Sequence, residues 1–84
     1  MSRTLFVGNL PFRMSNDDLR AHFEAVAAVE SAHIILDRET SRPRGFGFVT
    51  MQDEGGAQRA LRLDGALVLG RPLIVSIARE RATR

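Results

Sequence analysis

The chain is predicted to fold as an α+β sandwich, with one four-stranded antiparallel sheet and two helices on one of its faces. Three observations predict this. Four short runs alternate apolar and polar residues at period two, as strands do. Two further segments repeat apolar residues three and four apart, as amphipathic helices do. The two helical segments follow the first and third strands, whereas a polar loop alone joins the second and third. The order is therefore βαββαβ, the ferredoxin-like split arrangement. Right-handed crossovers then bring both helices to the same side of the sheet.

Thr4 to Gly8 forms the first strand, with Leu5 and Val7 on one face and Thr4, Phe6 and Gly8 on the other. Asn9-Leu10-Pro11 ends it, because proline removes a ladder donor and restricts its neighbour. Ser15 with Asp18 three positions on is an N-cap signature, and a helix is predicted from about Asn16 to Ala27. Leu19, Phe23, Val26 and Ala27 share its apolar face. Ser31 to Leu36 is the second strand, and Asp37 to Pro43 the polar loop after it. The third strand, residues 45–51, is apolar on both faces, as a central strand should be. Asp53 and Glu54 open a second helix that reaches about Leu63, with Ala57, Ala60 and Leu61 on its packing face. Gly55 and Gly56 weaken its first turn, and Asp64-Gly65 stops it. Leu67-Val68-Leu69 is a short apolar piece; Leu73 to Ala78 is the last strand.

A chain of 84 residues makes one domain over 1–84, with its core at about 3–79 and 80–84 as a flexible arginine-rich tail. No run of 18 apolar residues suggests a membrane helix, and no basic-then-apolar leader suggests secretion. Cysteine is absent, which removes disulfides, thiolate catalysis and cysteine-ligated zinc and fits a reducing compartment. His22 and His33 alone make no metal site, and no cofactor is expected. Net charge is +2, and all twelve basic residues are arginine. Arginine-biased codon usage is one reading of that; a preference for planar, bidentate phosphate donors is the other.

Which face the helices cover decides the function. Ser76 breaks one face of the last strand, leaving Leu73, Val75 and Ile77 as its inward set. Ser31 and His33 break one face of the second, leaving Ala32 and Ile34. Leu5 and Val7, with Val49 and Met51, match this aliphatic core. Phe6, Phe46 and Phe48 then fall together on the uncovered face, although phenylalanine is usually buried. An apolar patch of that kind on a small domain marks a binding site.

At this point the chain resembles the RNA recognition motif family. Leu5-Phe6-Val7-Gly8-Asn9-Leu10 is similar to its hexapeptide, and Arg44-Gly45-Phe46-Gly47-Phe48-Val49-Thr50-Met51 to its octapeptide. Asp37-Arg38-Glu39-Thr40, Asp64-Gly65 and Gly70-Arg71-Pro72-Leu73 also look like the family, with small single-domain members of the bacterial and glycine-rich type the nearest likeness. Met51 departs from the usual aromatic, Thr4 from the usual lysine, and Ser41 and Pro43 from the usual glycine and serine.

The resemblance implies single-stranded RNA as the partner. Phe6 and Phe48 would each stack a base, Phe46 would lie against sugars, and Arg44 would pair with a phosphate. Every base has a flat π-face, and duplex bases are already stacked, so such a sheet selects single strands, RNA first and single-stranded DNA as a further candidate. His33, Ile35 and Ser76 lie on the same face at its edges. Arg42 in the loop and Arg79 in the tail are candidate clamps, offset in part by Asp37, Glu39 and Glu80. The implied role is post-transcriptional regulation or RNA chaperoning, in the cytoplasm, by a monomer with neither membrane nor small-molecule partner.

Two other classes fit parts of the pattern. Acylphosphatases share the split arrangement, and Arg13 could mimic their arginine, but no asparagine follows Asn16 and Pro11 stands where an amide cradle would be. Self-association or protein binding is the other, with Leu67 and Leu69 either exposed as a contact or packed beneath the loop.

Overall fold

In a computed structural model, which describes residues 3–78, the chain runs β1 (Thr4–Gly8), α1 (Asn16–Glu24), β2 (Val29–Leu36), β3 (Pro43–Met51), α2 (Glu54–Ala60), a 3-10 turn (Leu61–Leu63), β4 (Leu67–Val68), β5 (Arg71–Pro72) and β6 (Ile74–Ile77). Four strands form one antiparallel sheet in the order β2-β3-β1-β6, and β4 and β5 form a small separate hairpin. The two motif-bearing strands, β1 and β3, are thus the two central ones.

One side of the sheet is sealed. Leu5, Val7, Val49, Met51 and Val75 meet Leu19 and Phe23 of α1 and Ala57 and Ala60 of α2 in a single buried cluster. Burying a side chain of this size contributes roughly 1.5–3 kcal/mol. Met51 is fully buried there, so the departure at the last octapeptide position is a core substitution. Phe23 is the buried phenylalanine of the cluster, while Phe6, Phe46 and Phe48 are half-exposed.

Local chemistry fixes the helices. Ser15 Oγ accepts from the Asp18 amide, and the Asp18 carboxylate accepts from the Ser15 amide, a complete capping box. The helix stops at Glu24, not Ala27, because the amides of Val26 and Ala27 both donate to the Phe23 carbonyl and tighten the chain into a turn. That turn lets β2 start early, at Val29, which is buried. Arg20 braces it by donating to the Val29 carbonyl and pairing with Glu24. Arg3 does the same on the far side, bonding Glu30 and the Gln52 carbonyl. In α2 the Asp53 side chain caps the Gly56 amide. Gly56 is no mere weak point: a Cβ there would lie 3.2 Å from Ala27 Cβ, so its absence lets the helix seat. The helix becomes a 3-10 turn after Ala60, and Asp64 Oδ1 then accepts from the Val75 amide and ties this end to β6.

Besides β2, two strand starts differ from expectation, and β6 ends at Ile77, one residue before the expected Ala78. β3 begins at Pro43, since Leu36 and Pro43 still pair across the hairpin. β6 begins at Ile74 because the Leu73 amide bonds the Ala66 carbonyl in the preceding loop instead of the sheet.

Candidate nucleic-acid interface

The uncovered face is a grid defined by strand register. Its middle row runs His33, Phe48, Phe6, Ser76 across β2, β3, β1 and β6. The next row is Phe46, Gly8 and Ile74; on the other side Ser31, Thr50 and Thr4 form a hydroxyl row. Thr4 Oγ1 and Thr50 Oγ1 lie 3.1 Å apart.

The three rings touch. Phe6 lies 5.7 Å from Phe46 and 6.0 Å from Phe48, and Phe46 lies 6.1 Å from Phe48 at nearly a right angle. Gly8 controls this packing. A Cβ at Gly8 would stand 3.0 Å from Phe6 Cε2, so the bare position is the space into which the Phe6 ring leans. Gly47, on the other side of β3, makes room for the neighbouring strand. A Cβ there would meet the His33 carbonyl oxygen at 2.5 Å, so Gly47 lets the β2 backbone close on β3. This is where the β2 register becomes irregular, between Ile34 and Leu36.

Arginine and the loop complete the site. Arg44 Cζ sits 5.8 Å from the centre of the Phe46 ring, within cation–π range. Behind it the Asp37 carboxylate accepts from the amides of Glu39 and Thr40, and the Asp37 amide donates to the Arg42 carbonyl. The Thr40 and Glu39 amides hold the Asp37 carboxyl below its ordinary value, with the Arg44 charge adding to them against a small desolvation effect. Ser41 takes φ 61, the left-handed conformation that glycine adopts more cheaply, so the loop is a closed turn despite its substitution.

Of the residues singled out from sequence, Phe6, Phe46, Phe48, His33 and Ser76 meet on one face. Arg44 joins them at the Phe46 end, and Arg42 is exposed in the adjoining loop. Ile35 is half-buried within the β2 irregularity, at the rim. Arg79 lies outside the described residues. Sequence reasoning passed over Ile74, which is 52% exposed beside Gly8, and the Thr4/Thr50 pair. Strand alternation puts all three on this face, but none carries the aromatic or basic chemistry that signals contact with RNA. Leu67 and Leu69 are 71% and 72% exposed and do not pack beneath the loop. In the first loop, the amides of Leu10, Met14 and Ser15 bond Gly45, Pro11 and Asp18 and are unavailable as an anion cradle around Arg13. Among the described residues no three His, Asp or Glu side chains gather as they would around a metal ion.

Known proteins share this arrangement. The chain is 40% identical over 74 residues to RNA-binding protein 38 of Gallus gallus, covering 88% of this chain and 34% of that protein. It thus spans about a third of the length of the curated relatives it matches. The crystal structure of RNA Binding Protein PG1 superposes with TM-score 0.88 at 48% identity, covering 95% of this chain and 98% of that one. A Sxl-lethal protein/RNA complex superposes with TM-score 0.89 at 33% identity, over 95% of this chain and 48% of that one. The family model described as RNA recognition motif matches residues 5–74. With both motifs on adjacent central strands and their rings on the uncovered face, the chain belongs to the RNA recognition motif family.

Proposed function

We propose that this domain binds single-stranded RNA on the uncovered face of its sheet, by stacking bases on Phe6 and Phe48. The observation that carries this reading is the contiguous cluster of three half-exposed rings in the middle of that face. Phe46 carries Arg44 over its ring and meets Phe48 at nearly a right angle, which suits it to lie along sugars rather than receive a base. Arg44 pairs with a phosphate, Arg42 and Arg79 reinforce it, and His33, Ile35 and Ser76 meet base edges at the rim. The domain acts by binding, without a catalytic step or cofactor. Its place is post-transcriptional regulation or RNA chaperoning in the cytoplasm, and single-stranded DNA is a weaker ligand of the same face.

The test is fluorescence anisotropy with labelled random-sequence octamers of RNA, challenged by unlabelled duplex RNA. Saturable binding to single strands that the duplex fails to displace supports the reading. Equal competition by the duplex would show phosphate attraction alone.

A second reading adds to this one. Leu67 and Leu69 are exposed on the β4–β5 hairpin, and Leu69 holds φ 51 beside Gly70, a conformation costly for leucine. An exposed leucine pair on such a turn suits weak self-association of an otherwise monomeric domain. Sedimentation velocity of Leu67→Ser/Leu69→Ser against the native chain tests it.

A further inference from the structure

We infer that His33 is a proton-linked contact of this interface: its charged imidazole grips an acceptor oxygen of RNA beside Phe48, so binding tightens in mildly acidic solution. The inference rests on the proposed binding of RNA to the sheet face and adds regulation by protons to it.

Register fixes which way this side chain points. Its neighbours on β2 face the helices: Ala32 is buried in the core and Ile34 packs against it. Strand alternation therefore sends His33 to the uncovered face. It lies in the regular part of β2, between the two register shifts, with its Cα opposite that of Phe48. The side chain is exposed, and among the described residues it makes no hydrogen bond, ion pair or ring contact. Both ring nitrogens are open to a ligand.

The surroundings make His33 the group of this face that titrates near neutrality. β3 presents Phe46, Phe48 and Thr50 here, β1 presents Thr4, Phe6 and Gly8, and β6 presents Ile74 and Ser76. None of these changes charge in that range. At the margins, Glu30 on β2 pairs with Arg3 at 3.0 Å. Asp37, at the other end of β2, accepts from the Glu39 and Thr40 amides. Arg44 lies over Phe46, with Arg42 in the loop beside it, and arginine stays cationic throughout. The helices carry Asp17, Asp18, Arg20, His22 and Glu24 on α1 and Glu54 and Arg59 on α2, but they cover the opposite face. Histidine is the side chain that ordinarily gains its charge between about pH 5 and 8.

RNA supplies the oxygen. β2 is the outer strand beside β3, so a nucleotide stacked on Phe48 has His33 next to it at the edge of the sheet. A neutral imidazole offers an oxygen one donor; the imidazolium offers two, with a charge behind them. With Arg44 at the Phe46 end, the protonated ring gives the face a second cation, in a domain whose net charge is only +2. The sign follows from linkage. An oxygen that favours the charged ring raises its hold on the proton, so protonation raises the hold on RNA by the same factor.

The test is anisotropy with a labelled RNA octamer at about pH 5.5 and about pH 8, normalised at each by the folded fraction from circular dichroism. The native chain should bind roughly 3- to 10-fold tighter at the lower pH, the range of a charge-assisted contact at a partly screened surface. His33→Gln keeps a donor without the charge and should lose this dependence. His33→Arg should bind at both pH values as the native chain does at the lower one. His22 is present in all three chains, so its own titration cancels from the comparison. A salt slope of the native chain steeper by about 0.7 at the lower pH identifies a phosphate oxygen, and an unchanged slope a base or sugar oxygen. If native affinity is the same at both pH values, or His33→Gln keeps the dependence, the protonated contact does not exist, and the sheet platform stands unaffected. If the native chain binds the octamer at neither pH, the platform falls and this contact with it.

Discussion

Phe6→Ala removes the ring at the centre of the platform, and its two costs can be separated. Phe6 pairs with Phe46 at 5.7 Å and with Phe48 at 6.0 Å. Each such pair contributes about 0.5–1.5 kcal/mol beyond the area it buries. The ring is half-exposed, so the lower part of the sum applies, about 1–2 kcal/mol. In a domain of this size that lowers Tm by about 5–15 °C and leaves the chain folded at room temperature. Loss of one base stack adds about 1–3 kcal/mol to the binding side, or roughly 5- to 150-fold in Kd. Phe48→Ala should behave alike. The assay is anisotropy with a labelled RNA octamer, normalised by the folded fraction from circular dichroism. Native affinity per folded molecule in both variants would refute the stacking argument, since the rings would then serve the fold alone.

Three other outcomes follow from the same geometry. Gly47→Ala should cost about 1–3 kcal/mol or more, because its Cβ meets a backbone carbonyl that cannot swing away, whereas Gly8→Ala should leave Tm nearly unchanged and weaken RNA binding by tilting Phe6; equal melting of both variants would contradict the close approach of β2. Arg44→Ala should reduce the slope of log K against log salt by about 0.7, the value for one phosphate contact on a single strand, and an unchanged slope would remove Arg44 from the contacts. The Asp37 carboxyl is held below its ordinary 3.8 by the amides of Thr40 and Glu39, so the turn it organises keeps its stability above that value and loses it as pH falls through the lower folded-state one; amide shifts of Glu39 and Thr40 that titrate at or above the ordinary value would show those bonds to be absent.

The βαββαβ order and the choice of faces were legible because short polar residues break one face of each edge strand. Ser76 and His33 sit opposite Phe6 and Phe48 in register, so their polarity also assigned the aromatic face. The α1 start was legible because Ser15 and Asp18 carry their own hydrogen-bond geometry at that spacing. Its end was not, because Val26 and Ala27 continue the helical pattern while their amides turn back to Phe23. The reason for Gly47 was hidden too. A missing side chain reports that something lies close, and only the three-dimensional register reveals that it is the β2 backbone. Ile74 was placed on the correct face and then passed over, since an aliphatic residue carries no chemical signal of binding until its exposure is known.

The division of labour among the arginines bears on how much of the grip the rings would supply in the proposed binding mode. Arg3 and Arg20 are bound to Glu30 and Glu24 and to backbone carbonyls, where they brace the ends of β2 and β3. Arg71 is held by Asn9 at the root of the first loop. With a net charge of +2 there is no broad basic field, so long-range attraction to polyanions is weak. Arg44 is placed differently, exposed and over an aromatic ring at one end of the platform, where in the proposed binding mode it would meet a phosphate beside a stacked base. A duplex can satisfy the guanidinium but offers no free base face to Phe6 or Phe48. In the proposed binding mode, discrimination between single and double strands would come from the stacking free energy, which a single strand gains and a duplex forgoes, while the phosphate contact is common to both.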